Sequence, residues 1–83
     1  MSDIHEVIKR SRRRRRLPTP DVRRLLRQQA RLSQEDIAVA MGVSRAAVVR
    51  WERGERTPRQ PHYDAYVELL DQLRREVLPN ETD

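Results

Sequence analysis

The sequence predicts an all-α fold, a compact helical domain of four to five helices with a basic N-terminal arm. Apolar residues recur at three- and four-residue spacing in successive segments, Ser and Thr caps are answered by Gly stops, and no segment alternates with the two-residue period of a strand. The 83 residues, 36% hydrophobic and without Phe, suffice for one domain with a modest core. Cysteine is absent, so helix packing rather than disulfides or a Cys-based zinc site must hold the fold together.

Taken in order, residues 1–19 read as an arm and linker that is disordered when free. They hold a weak apolar stripe, Ile4, Val7 and Ile8, and then five adjacent arginines, Arg12, Arg13, Arg14, Arg15 and Arg16, whose like charges repel. The domain is expected over 20–78, and 79–83 is a short tail. Thr19 as N-cap, Pro20 at the first helical position and Asp21 in the first turn open a helix running to about Ala30. Val22, Leu25, Leu26 and Ala30 form its apolar stripe, which places Arg23, Arg24, Arg27 and Arg31 on or beside the polar side. Ser33, with Asp36 three residues on, caps a second helix over Gln34 to Met41, and Gly42 stops it. Ser44 caps a third helix from Arg45, and Gly54 ends that one. After a loop around Thr57-Pro58, the spacing of Tyr63, Tyr66, Val67, Leu70, Leu73 and Val77 predicts a final helix ended by Pro79.

Charge is distributed unevenly. Met1 to Arg59 holds 16 Arg and Lys against 7 Asp and Glu, whereas Gln60 to Asp83 holds 2 against 6. A basic body is the footprint of a polyanion binder, since cations that displace condensed counterions from phosphate gain affinity. GC-rich coding and ordinary solvated helix faces give the same composition, so charge leaves both readings open. No signal-peptide-length apolar run follows the N-terminus and no segment approaches a membrane span, which points to a cytoplasmic protein with no membrane partner. His5 and His62 stand alone, Ser33 and Ser44 are explained as caps, and Gly42 and Gly54 make no phosphate-cradling loop. Neither an enzyme, a metal, a cofactor nor a small-molecule ligand is implied.

Two helices joined by a short Gly-containing turn also describe a plain helical hairpin, so the side chains must decide. In the third helix Ala47, Val48 and Trp51 gather on one side, while Arg45, Ala46, Val49, Arg50 and Arg53 fan over the other. Small residues permit close approach to a major groove, arginines donate two hydrogen bonds to guanine O6 and N7, and Val49 suits a thymine methyl.

The stretch Leu32-Ser33-Gln34-Glu35-Asp36-Ile37-Ala38-Val39-Ala40-Met41-Gly42-Val43-Ser44 through Trp51-Glu52-Arg53-Gly54 resembles the phage Cro/CI-type (XRE) helix-turn-helix family over roughly Val22 to Pro58. Ile37, Met41, Val43, Val48 and Trp51 match the family's apolar positions, and Ala38 and Gly42 its small ones. The resemblance implies a central helix-turn-helix, with Ser33 and Gln34 approaching phosphates, Arg45, Ala46 and Arg50 facing bases, and Ser44 and Arg53 near the DNA backbone. The loop residues Arg56, Thr57 and Arg59 are expected on the backbone too. The resemblance further implies an ion pair between Arg27 and Glu52, the alternative being two ordinary surface charges.

After Pro58 the family usually carries two more helices, whereas this chain offers one amphipathic segment containing Pro61. Its apolar residues exceed what one small domain easily covers, so Tyr66, Leu69, Leu70 and Leu73 are expected to form a homodimer interface, with a monomeric core as the competing account. The arginines of the arm are expected in a minor groove or on the backbone, against the alternative of a solvated tail. These expectations converge on a sequence-specific double-stranded DNA-binding regulator, most naturally a repressor. An antitoxin-type protein with autoregulatory DNA binding and a non-specific architectural binder are the alternatives.

Overall fold

The computed structural model describes residues 16–78 and residue 4. Four helices follow one another: α1 (Pro20–Gln29), α2 (Gln34–Met41), α3 (Arg45–Arg53) and α4 (His62–Val77). The residues expected to form most of the arm, including Arg12 to Arg15, and the tail beginning at Pro79 lie outside the described residues.

Local chemistry fixes the helix ends. Thr19 stands at the N-cap of α1 in extended conformation, but its side chain makes no capping bond, and Pro20 supplies the preset φ instead. Ser33 closes a reciprocal capping box, its hydroxyl accepting from Asp36 N at 2.9 Å while Ser33 N donates to Asp36 Oδ2 at 2.8 Å. Those Ser33 bonds, the backbone one foremost, lower the Asp36 pKa below its ordinary 3.8. The contribution of this carboxylate to stability is therefore present above that value and disappears as pH falls through the lower folded one. Ser44 Oγ accepts from Ala47 N at 3.1 Å to open α3, and Gln60 Oε1 accepts from Asp64 N at 3.3 Å at the start of α4.

The first three helices end in the same way, with a left-handed residue and a paired 6→1 and 5→2 hydrogen bond. Val43 N donates to Ala38 O and Gly42 N to Val39 O after α2, Glu55 N to Arg50 O and Gly54 N to Trp51 O after α3, and Leu32 N to Arg27 O and Arg31 N to Gln28 O after α1. Gly42 and Gly54 take φ of 70° and 73° without steric penalty, whereas after α1 the position falls to Arg31 at φ 60°.

The helices enclose one core. Leu26 of α1, Ile37 and Ala38 of α2, Val48 and Trp51 of α3, and Tyr66, Leu70 and Leu73 of α4 form it. The rings of Trp51 and Tyr66 lie 4.8 Å apart at 43°, within the range of favourable aromatic pairs. Burial pushes the Tyr66 phenol up to about 12, the Glu52 carboxylate adding to the shift and Arg23 and Arg27 opposing it. A phenol held neutral in this way favours the folded state below its unfolded pKa near 10, and that benefit is lost as pH climbs through 12.

Three expectations change. Leu25 is half exposed and Arg23 is buried at 8% exposure, because at about 100° per residue position 23 lies nearer to Leu26 on the helix than position 25 does. Residues 17–19 are not a free linker: Leu17 packs against the core, and Pro18 O accepts from Arg23 Nε at 2.7 Å. The four helices among the described residues agree with the expected all-α fold of four to five. Finally, Tyr66, Leu70 and Leu73 are 1%, 2% and 7% exposed within the single chain, since they cover Trp51 and Leu26, and so have no surface left for a two-fold interface. Leu69 alone of that set keeps partial exposure.

A left-handed non-glycine residue costs on the order of 1–3 kcal/mol, and glycine returns roughly 0.5–1 kcal/mol of that through its freer unfolded state. Arg31→Gly should therefore raise stability by about 1 kcal/mol in urea unfolding. A loss of stability would show that the Arg31 side chain holds the turn.

Candidate nucleic-acid interface

The turn between α2 and α3 is set by Gly42 and the Ser44 cap, and it presents α3 as an outer helix with two faces. Val48 and Trp51 point inward, and Glu52 joins them at 2% exposure. Arg45, Ala46, Arg50 and Arg53 are exposed on the outside, with Val49 half-buried beside them. All the residues expected to meet bases are thus on one helix, and their surface is basic and shallow. Arg56, Thr57 and Arg59 continue it as an exposed loop around the buried Pro58. Ser33 and Ser44 stand exposed at the N-termini of α2 and α3, where main-chain N–H groups and the helix dipole favour an anion.

Glu52 is the anchor of this arrangement. Arg27 Nε donates to Oε2 at 2.6 Å and Nη2 to Oε1 at 3.0 Å, a bidentate pair between α1 and α3. Arg27 Nη1 also donates to Leu32 O at 2.9 Å, which ties in the α1–α2 turn. Gln34 Nε2 adds a third bond to the carboxylate, reaching Oε1 at 3.2 Å. The amide of Gln34, half-buried and expected on a phosphate, is therefore engaged inside the domain, and its main-chain N–H is the group at the helix start. Arg27 and Glu52 side chains are 12% and 2% exposed, in contrast to the surface pair Arg24–Asp21 at 45% and 87%.

Two interactions escape sequence reasoning, the Gln34 bond and the burial of Arg23, whose Nη1 donates to Trp51 O at 2.9 Å. The spacing of Arg23 and Arg27, one helical turn apart, is the available signal for the second. A groove lined by Val43, Ala47, Trp51, Pro58 and His62 runs between the turn and the loop and is rimmed by Arg56 and Arg59.

Residues 24–77, well over half of the chain, match the helix-turn-helix family. The chain belongs to that family in its Cro/CI-type (XRE) form, and the matched region continues past Pro58 through α4. It is a DNA-binding transcription regulator. No curated protein and no solved structure matches the chain. Among the described residues no helix is long and apolar enough to cross a membrane, and no group of three His, Cys, Asp or Glu side chains is assembled to hold a metal ion.

Removing the charge of Glu52 leaves the enclosed Arg27 guanidinium uncompensated. Glu52→Gln should cost about 3 kcal/mol in chemical denaturation, whereas Asp21→Asn at the exposed pair should cost about 1 or less. Equal small losses would place the Arg27–Glu52 pair among ordinary surface contacts.

Proposed function

We propose that this chain is a cytoplasmic, sequence-specific repressor that reads double-stranded DNA as a homodimer, with α3 in the major groove. The observation that carries the reading is the division of α3, whose Val48, Trp51 and Glu52 are fully committed to the domain while Arg45 and Arg50 are free of the hydrogen bonds that hold Arg23 and Arg27. In this reading Arg45, Ala46, Val49 and Arg50 meet base edges. Ser33, Gln34 through its main chain, Ser44, Arg53, Arg56, Thr57 and Arg59 meet the backbone, and Arg12 to Arg16 follow the adjoining minor groove. Occupation of a promoter by such a domain excludes other proteins from the same groove, which favours repression.

The homodimer rests on the demands of specificity rather than on apolar surface. One short helix brings only about 3–4 side chains to base edges, so a selective site needs two half-sites, and a two-fold pair of domains reads them with one set of contacts.

Selection of bound duplexes from a random pool should return a pseudo-palindrome with half-sites about 10 bp apart. On that site Arg45→Ala and Arg50→Ala should each cost about 1–3 kcal/mol and relax specificity at the base pair they read. Arg59→Ala should weaken all sequences alike and flatten the salt dependence by about one unit. Enrichment of no sequence would replace this reading with that of an architectural binder.

A further inference from the structure

The groove between the α2–α3 turn and the loop after α3 has a volume of about 330 Å³, at the lower end of the roughly 300–1,000 Å³ of small-molecule sites. Val43, Ala47, Trp51 and Pro58 form its apolar floor. Ala47 stands four residues before Trp51 on the same side of α3, and its single methyl leaves open the space that a longer side chain would fill. Arg56 and Arg59 stand at the rim with Thr57 and His62. Both arginines are exposed, and among the described residues neither guanidinium meets an acceptor, in contrast to Arg23, Arg24 and Arg27. The indole N–H of Trp51 also lacks an acceptor there, although the residue is only 4% exposed. Since no fully enclosed polar side-chain atom among the described residues is without a partner, that N–H is open to solvent.

An apolar floor favours a flat hydrocarbon body, and unpaired guanidiniums at its edge favour a carboxylate, which accepts two parallel hydrogen bonds from such a fork. A DNA phosphate satisfies the arginines but leaves the floor beside Trp51 uncovered, whereas a neutral ring covers the floor and leaves the arginines unpaired. We propose that the groove is the binding site of a small aromatic carboxylate, its ring on Val43, Ala47, Trp51 and Pro58 and its carboxylate at Arg56 and Arg59, and that this ligand competes with DNA. The same two arginines are assigned above to the DNA backbone, so an acid that engages them withdraws up to two phosphate contacts. By linkage, DNA lowers the affinity for the acid by the same factor. The competition rests on the proposed placing of Arg56 and Arg59 on phosphates, and the ligand site stands independently of it.

Benzoate is the probe, with benzyl alcohol as its uncharged counterpart and acetate as a carboxylate without the ring. The chain holds one tryptophan, so the emission of Trp51 in the full-length protein reports on the groove. Benzoate should change that emission saturably and shift amide resonances centred on Val43, Ala47 and residues 56–62, while benzyl alcohol and acetate each bind at least about threefold more weakly. Combining Arg56→Ala with Arg59→Ala should weaken benzoate by a similar factor. On the selected duplex, saturating benzoate should lower the affinity of the parent and flatten its salt slope by up to about 1.8, at about 0.9 for each phosphate contact withdrawn. It should add nothing in the double variant, with acetate at equal concentration correcting for ionic strength. No saturable binding of benzoate up to about 10 mM, the weakest affinity reasonable for a ligand of its size, or an equal response to acetate, overturns the site. Saturable binding that leaves the DNA affinity of the parent intact overturns the competition. If the parent selects no duplex, the proposed reading of DNA fails and the competition with it, while the fluorescence titration still decides whether the groove takes the acid. Circular dichroism establishes that the double variant is folded, and should it not be, Arg56→Gln with Arg59→Gln keeps polar side chains without the charge and is read by the same criteria.

Discussion

The structure depends on the enclosed carboxylate of Glu52. Three donors reach it, two from Arg27 on α1 and one from Gln34 on α2, while Glu52 itself belongs to α3. Three short helices, none longer than ten residues, are thereby fixed to one another at a single point. Helices of this length have little stability alone, so their relative orientation must come from tertiary contacts. A non-directional apolar core supplies most of the cohesion, and the bidentate pair supplies the angle. Next to it, Trp51 packs on Tyr66 of α4, so the fourth helix is held through the same turn of α3.

This arrangement sorts the arginines by role. Arg23 and Arg27 are consumed within the domain, one on main-chain carbonyls and one on a carboxylate, and they set where α3 points. Arg45, Arg50, Arg53, Arg56 and Arg59 stay on the surface of α3 and its following loop. The same residue type thus builds the frame on one side of α3 and the exposed basic surface, proposed to face DNA, on the other. Arginine suits both tasks, since its planar fork matches carboxylate, phosphate and guanine edges alike. The acidic residues of the C-terminal part of the chain fall mainly on α4, away from the sequence of the reading unit.

Features that depend on a few neighbouring residues are legible in the sequence. Ser33 with Asp36, Gly42, Ser44 and Gly54 each follow a local capping rule, and they delimit α2 and α3 to the residue. The two faces of α3 follow from periodicity, and the Arg27–Glu52 pairing from family resemblance. Features that depend on what another helix demands are not legible. Charge argues for placing Arg23 outside, yet its donors are satisfied by carbonyls contributed from Pro18 and Trp51, which no local pattern announces. Leu25 belongs to the core by residue type and loses its place to the geometry of the helix. Tyr66, Leu70 and Leu73 look surplus in the sequence because the area needed to cover Trp51 and Leu26 is a property of the assembled domain.

The central claim is that the outer face of α3 reads bases through the major groove. Interference by methylation of guanine N7 tests it most directly, because that atom lies in the major groove and is the acceptor an arginine fork engages. On the selected site, N7 methylation should block binding at guanines within two clusters about 10 bp apart on one face of the duplex. Binding unaffected by N7 methylation anywhere in the site, with protection confined to phosphates or the minor groove, would contradict the account.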